Sequence, residues 1–222
     1  MTTYTHEGRV YGLGRHVEPA HDPRNRDFPA ATAGLHAVDW TRFGGPLDQG
    51  QVGSCTGNAL AGWFNTAPGS DGTHLRTEAD ALRYYSQATA IDPYLGTYPP
   101  TDTGSDGPSV CKAAMKDGEL TGYQHAFGLD HFLGALMLSP LIVGTVWLKR
   151  MFTPDANGLL KVSGAVAGGH EYEAVSYDPA TKLIGFWNSW GTSWGKGGRF
   201  FIHPADFGHL LAQHGDVTVP QR

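Results

Sequence analysis

Gln49-Gly50-Gln51-Val52-Gly53-Ser54-Cys55-Thr56-Gly57-Asn58-Ala59-Leu60-Ala61-Gly62-Trp63-Phe64 sets glycines and small polar residues directly before an apolar-periodic run. Ala59, Leu60 and Trp63-Phe64 recur at helical spacing, which predicts a helix over about Ser54 to Asn65, stopped by Pro68. Cys55 then stands at the helix N-terminus, where unpaired N–H groups and the macrodipole favour an anion. Such a position lowers a thiol pKa and favours the nucleophilic thiolate. The other reading of a lone cysteine is a buried structural one. Deciding between the two requires a base and an oxyanion donor elsewhere in the chain.

The 222 residues suit one large domain, or one domain of two lobes. Hydrophobic content of 40% against 17% charged residues reads as globular. A net charge of -5 without a long basic run gives no reason to expect nucleic acid as a partner. Cys55 and Cys111 allow one disulfide but no cysteine framework, which mildly favours a reducing compartment. Residues 1–22 are polar and lack an apolar core, so no secretory signal is expected. The longest apolar run, Phe132 to Leu148, is interrupted at Gly134, Ser139-Pro140 and Gly144, so no membrane span or membrane partner is expected. His125, His131, His203, His209 and His214 show no metal-ligand spacing, and neither a metal nor another cofactor is expected.

Residues 1–35 are punctuated by Gly12, Gly14, Pro19, Pro23 and Pro29 and read as an extended arm. The domain proper is expected over 36–222, with a helical lobe over about 50–130 and a β lobe over about 131–222. Thr77-Glu78-Ala79-Asp80 resembles a capping box opening a helix that carries Leu82, Tyr85 and Thr89 on one face. Residues 93–108 form a long Pro- and Gly-rich loop of the kind that often binds something. Pro108 opens a short helix closed by Gly118, and Asp130 to Leu138 is one more. Strands are expected at 141–148, 158–162, 171–177, 183–187 and 199–202, then a helix over 204–213 and an edge strand at 216–219. Helices followed by antiparallel strands imply an α+β architecture of two lobes.

Gly168-Gly169-His170 precedes an alternating run, so His170 is expected at a strand start facing open space. Trp187-Asn188-Ser189-Trp190-Gly191-Thr192-Ser193-Trp194-Gly195 gathers three tryptophans around one asparagine. Such clusters pack as core or shield something from water. An asparagine beneath one could orient an imidazole as the third member of a nucleophile triad.

Gln49-x5-Cys55, Gly-Gly-His170 with its following strand, and Asn188-Ser-Trp-Gly-x2-Trp-Gly together resemble the papain-like cysteine peptidase family over roughly residues 36–220. The order Gln, Cys, His, Asn is that family's, although His170 follows Cys55 somewhat sooner than the usual 130 or so residues. The resemblance implies a papain-like two-lobe fold, a helical N-terminal lobe and an antiparallel β-barrel-like C-terminal lobe with the active-site cleft between. It implies Cys55 as nucleophile, His170 as its ion-pair partner and proton donor, Asn188 as orienter shielded by Trp190, and Gln49 with the Cys55 N–H as oxyanion hole. Gly107 would edge the substrate backbone, and Gly144, Thr145, Gly168 and Gly169 would wall the main specificity pocket. Val52 stands where disulfide-bonded members have a cysteine and Thr56 where they have a tryptophan, as in bacterial or phage-type members. The 35-residue arm reads as too short to be their inhibitory propeptide. These features imply a peptide or protein substrate, a cytoplasmic or virion-associated setting, and restraint by narrow specificity or by a protein inhibitor or regulatory partner. Endopeptidase is the leading activity. The alternatives are a peptide-trimming variant, with the arm or the C-terminus in the cleft, and a catalytically silent peptide-binding or virion structural protein.

Overall fold

The computed structural model describes residues 2–14 and 26–222; Pro19 and Pro23 of the expected arm lie outside them. The described residues include the α-helices α1 (Cys55–Phe64), α2 (Glu78–Thr89), α3 (Gly107–Lys116), α4 (Gly128–Leu136) and α5 (Pro204–Ala212); α1 to α3 share one core, and α4 and α5 pack with the strands. All ten residues of α1 are buried. The expected capping box forms at α2, where the Thr77 side chain accepts from the Asp80 N–H and Asp80 accepts from the Thr77 N–H. Pro108 sits in the first turn of α3, and Gly118 follows its end at a φ of 73°. α4 begins two residues before the expected Asp130.

The strands are β1 (Thr2–His6), β2 (Arg9–Leu13), β3 (Val38–Asp39), β4 (Gly122–His125), β5 (Leu141–Leu148), β6 (Val166–Asp178), β7 (Leu183–Trp187), β8 (Arg199–Ile202) and β9 (Asp216–Gln221). Seven form one antiparallel sheet in the order β4-β9-β5-β6-β7-β8, with β3 on β6. The path is open among the described residues rather than a closed barrel.

Register and pleat then fix what each face carries. His170 lies opposite Thr145, and Glu171 opposite Gly144. Successive strand residues point to opposite faces. His170, Tyr172 and Ala174 therefore face the aromatic core around Trp147, Trp190 and Phe200, while Glu171 and Glu173 face the helices. Glu173 pairs there with Arg42 at 2.5 Å, both side chains buried.

Four expectations need correction. β9, expected at an edge, lies inside the sheet between β4 and β5. Residues 158–162 form no strand: Leu159 makes a single bridge to Phe201, and Leu160 is buried from a loop. The burial of that leucine accounts for the apolar signal. His170 is not at a strand start but inside β6, because Gly168 and Gly169 continue the ladder with Trp147 and Val146. Residues 2–13 are a hairpin with Tyr11 and Leu13 buried in the core of the β lobe.

Candidate active site

Cys55 is the first residue of α1, and its N-cap, Ser54, makes no side-chain capping bond. The first-turn N–H groups, which have no partner within a helix, thus receive no acceptor from that side chain. The loop before Cys55 is held from two sides. Asp102, in the long loop, accepts from the Gly53 N–H at 2.9 Å and from the Tyr85 hydroxyl at 2.5 Å. The Gln49 N–H donates to Ser189 O at 2.9 Å, which ties the glutamine to the Asn188 loop.

The Ser189 hydroxyl donates to Gln49 Oε1 at 2.6 Å, which fixes the orientation of the amide. Nε2 therefore points the other way, to Val52 O at 2.7 Å and Gly12 O at 3.2 Å. Asn188 is oriented by the same logic, since its Oδ1 accepts from the Ser189 N–H at 2.8 Å. The same oxygen lies 2.7 Å from His170 Nε2. That bond requires the proton on Nε2 and leaves Nδ1 with a free lone pair. Trp190 stacks on the imidazole, centroids 4.5 Å apart and planes 22° from parallel, and Trp147 meets it edge-on at 4.9 Å.

The cleft face of this arrangement is covered by the chain itself. Gly14 bridges Gly169, whose N–H donates to Gly14 O at 3.3 Å. The Gly12 N–H donates to Gly50 O at 3.2 Å. A Cβ on Gly14 would lie 2.8 Å from the Cys55 sulfur, and one on Gly12 would lie 2.3 Å from Val52 O. Only glycine permits this approach. Leu13 fits against Gly168, and the Tyr11 ring meets Trp190 at 4.7 Å.

Burial beneath this cover sets the protonation states. Desolvation pushes the Cys55 thiol up to about 12. Desolvation takes His170 down to about 4, against a smaller opposing effect from Asn188. His170 Nδ1 has no hydrogen-bond partner among the described residues. The covered site therefore holds a neutral thiol and a neutral imidazole instead of the expected ion pair, because charge is disfavoured where water is excluded.

Of the residues expected to bind substrate, Gly168 and Gly169 lie under residues 13–14, and Trp190 lies on His170. Gly107 and Gly144 meet at the carboxylate of Glu171. Thr145 is not with them: its hydroxyl is bonded to Tyr172 Oη at 2.8 Å, on the opposite face of β5. Sequence reasoning passed over Glu171, Asp102 and the Gly12–Gly14 crossing. The glycine at every second position, 12 and 14, was the available signal for the last. Cys111 is a free thiol buried in α3. Among the described residues no group of three metal-binding side chains occurs, and no helix is long and apolar enough to cross a membrane.

The fold is that of the papain-like cysteine proteases. Xylellain, a cysteine protease from Xylella fastidiosa, superposes with a TM-score of 0.72 at 19% identity, covering 100% of this chain and 99% of its own. The proform of the ragweed pollen cysteine protease Amb a 11 gives 0.58 at 15% identity, covering 87% of this chain and 70% of its own. The bromelain protease of Ananas comosus, in complex with the E64 inhibitor, gives 0.51 at 16% identity over 85% of this chain and 99% of its own. No protein-family model and no curated protein matches the sequence. At these identities the likeness is one of fold.

Proposed function

We propose that the protein is a cysteine peptidase that cleaves internal peptide bonds and is held latent by its own residues 11–14. The observation that carries this reading is the bond from His170 Nε2 to Asn188 Oδ1 beneath Trp190. It leaves a basic nitrogen on the imidazole and a cysteine at the start of α1 within one fold.

Once the segment moves away and water returns, His170 Nδ1 takes the proton of the Cys55 thiol. The thiolate adds to the carbonyl carbon of the scissile peptide. The resulting oxyanion accepts hydrogen bonds from Gln49 Nε2, at the place Gly12 O now occupies, and from the Cys55 N–H. Collapse of the adduct breaks the C–N bond, and the imidazolium passes its proton to the leaving amine. Water, deprotonated by His170, then hydrolyses the thioester and returns the thiol. Asn188 keeps the ring in plane and in one tautomer throughout.

Recognition of extended main chain is supported by residues 12–14, whose backbone meets Gln49 at Gly12 and Gly169 at Gly14, against the Cys55 sulfur. The C-terminus is engaged elsewhere, with β9 paired to β4 and the Arg222 guanidinium donating to Gly69 O. Gly12 to Gly14 would provide the restraint that the sequence left open. The test is hydrolysis of internally quenched peptides by the full chain and by Cys55→Ala and His170→Ala. Turnover that falls by at least about 10² in each variant, the scale of lost acid–base catalysis, supports the reading. Turnover that survives in Cys55→Ala defeats it and favours the silent or non-peptidase alternative.

A further inference from the structure

Beside the proposed nucleophile lies a group of carboxylates that the reaction above leaves unused. Glu171 follows His170 in β6 and turns to the helix side. It is 6% exposed, and its Oε1 has no hydrogen-bond partner among the described residues. Oε1 lies 2.7 Å from where a Cβ on Gly107 would stand, with Thr218 Oγ1 2.7 Å and Asp216 Oδ2 3.3 Å from the same point. Oε2 lies 3.2 Å from where a Cβ on Gly144 would stand. Two glycines, one opening α3 and one on β5, thus leave room beside the carboxylate that almost any other residue would fill.

The neighbours of this carboxylate are acids. Burial, with the charges of Asp216 and Asp106 added, holds the Glu171 carboxyl well above the usual carboxylate range. Asp216 accepts from the Thr218 hydroxyl at 2.9 Å and lies 3.5 Å from His125 Nδ1. Among the described residues no lysine or arginine pairs with Glu171. A buried carboxyl without a cation is costly in its charged form, so it keeps its proton. A cation brought from outside reverses that balance, displaces the proton and forms charge-assisted bonds. The location ties this cation to the substrate, because the Glu171 backbone hydrogen-bonds the Cys55 sulfur.

We propose that Glu171 and Asp216, between Gly107 and Gly144, form the specificity pocket of the site and receive a lysine or arginine side chain of the substrate within a residue or two of the scissile bond. This rests on the peptidase reading and goes beyond it by naming the substrate class. The pocket distinguishes a cation from an apolar chain of the same length, since an apolar guest would bury the carboxylates without a partner.

The experiment compares kcat/KM for quenched peptides carrying lysine or its uncharged analogue norleucine at each position around the cleaved bond. It uses the full chain and, to expose the site, the Leu13→Asp variant of the full chain. The lysine-to-norleucine ratio should exceed about 10 at one position, fall toward 1 in Glu171→Gln, and fall partway in Asp216→Asn, which serves also if Glu171→Gln does not fold. Cleavage with a ratio near 1 at every position, or a ratio unchanged in both variants, overturns the pocket while leaving the peptidase reading intact. Absence of all cleavage together with a Cys55 that no thiol-protease epoxide modifies overturns the peptidase reading, and the pocket with it.

Discussion

The side-chain amide of Gln49 donates to the main-chain carbonyl of Gly12 at 3.2 Å. The donor proposed for the oxyanion is thus occupied by a carbonyl of the same chain, and Gly14, two residues on, lies against the nucleophile. On the proposed reading the segment holds the place of a substrate, with Gly12 O at the oxyanion donor and Gly14 over a Cys55 and a His170 whose burial disfavours charge.

Displacing the segment should therefore raise activity. Leu13 is 1% exposed against Gly168, and burying a leucine contributes about 1.5–3 kcal/mol. Leu13→Asp removes that contribution and adds a charge to an apolar site, shifting the covered-to-open balance by about 10- to 150-fold. Peptide turnover by the variant should rise accordingly, with no change in the mass of the chain. Unchanged turnover would mean that the crossing does not limit access.

Gln49→Ala, measured in that opened background, should lower kcat by about 10²–10³, as loss of one oxyanion donor does in acyl-transfer enzymes. Ser189→Ala, which removes only the bond that orients the amide, should cost about 10-fold or less, in line with one neutral hydrogen bond. Equal losses from both would argue that the serine does more than orient.

The proposed roles could be assigned from the sequence because the order Gln49, Cys55, His170, Asn188 resembles that of papain-like peptidases. The structure adds the bonds that join His170 to Asn188 and Gln49 to Ser189. β5, β7 and β8 were legible because branched and aromatic residues concentrate there, as a nearly continuous buried run in β5 and in alternation in β8. The β1–β2 hairpin was not, because Gly12 and Gly14 read locally as chain punctuation, whereas their function is to let backbone approach sulfur and carbonyl. Glu171 was hidden for another reason. In an alternating strand it passes for a solvated residue, and only α3 and β9 packing over it make it buried.

Acid should destabilise the covered state through His170. Its folded value of about 4 lies below the ordinary imidazole value of 6.5, so between those values the unfolded chain binds the extra proton. Stability contributed by the neutral imidazole is complete above 6.5, declines as pH falls to 4, and is constant below. The span corresponds to about 3 kcal/mol as an upper figure. Denaturant unfolding of the wild type and His170→Asn at several pH values should show this difference shrinking only in that window. The other titrations, that of the raised Glu171 carboxyl included, are common to both proteins and cancel in the comparison.

The Arg42–Glu173 pair joins the loop before α1 to β6, with side chains 4% and 1% exposed. Arg42→Met should cost about 3–5 kcal/mol by stranding the carboxylate, and adding Glu173→Met should recover much of that loss. Melting of the two variants checks it, and a double variant no more stable than the single one would contradict the account.

The claim that Cys55 is the nucleophile of a peptidase is tested most directly by covalent labelling. Wild type, Leu13→Asp and Leu13→Asp/Cys55→Ala are incubated with an epoxide thiol-protease inhibitor, and the intact masses and modified peptide are read. The account predicts one adduct, on Cys55 and never on Cys111, formed faster in Leu13→Asp than in the wild type and absent once Cys55 is removed. A folded Leu13→Asp protein whose Cys55 stays unmodified while its fold is intact would contradict it.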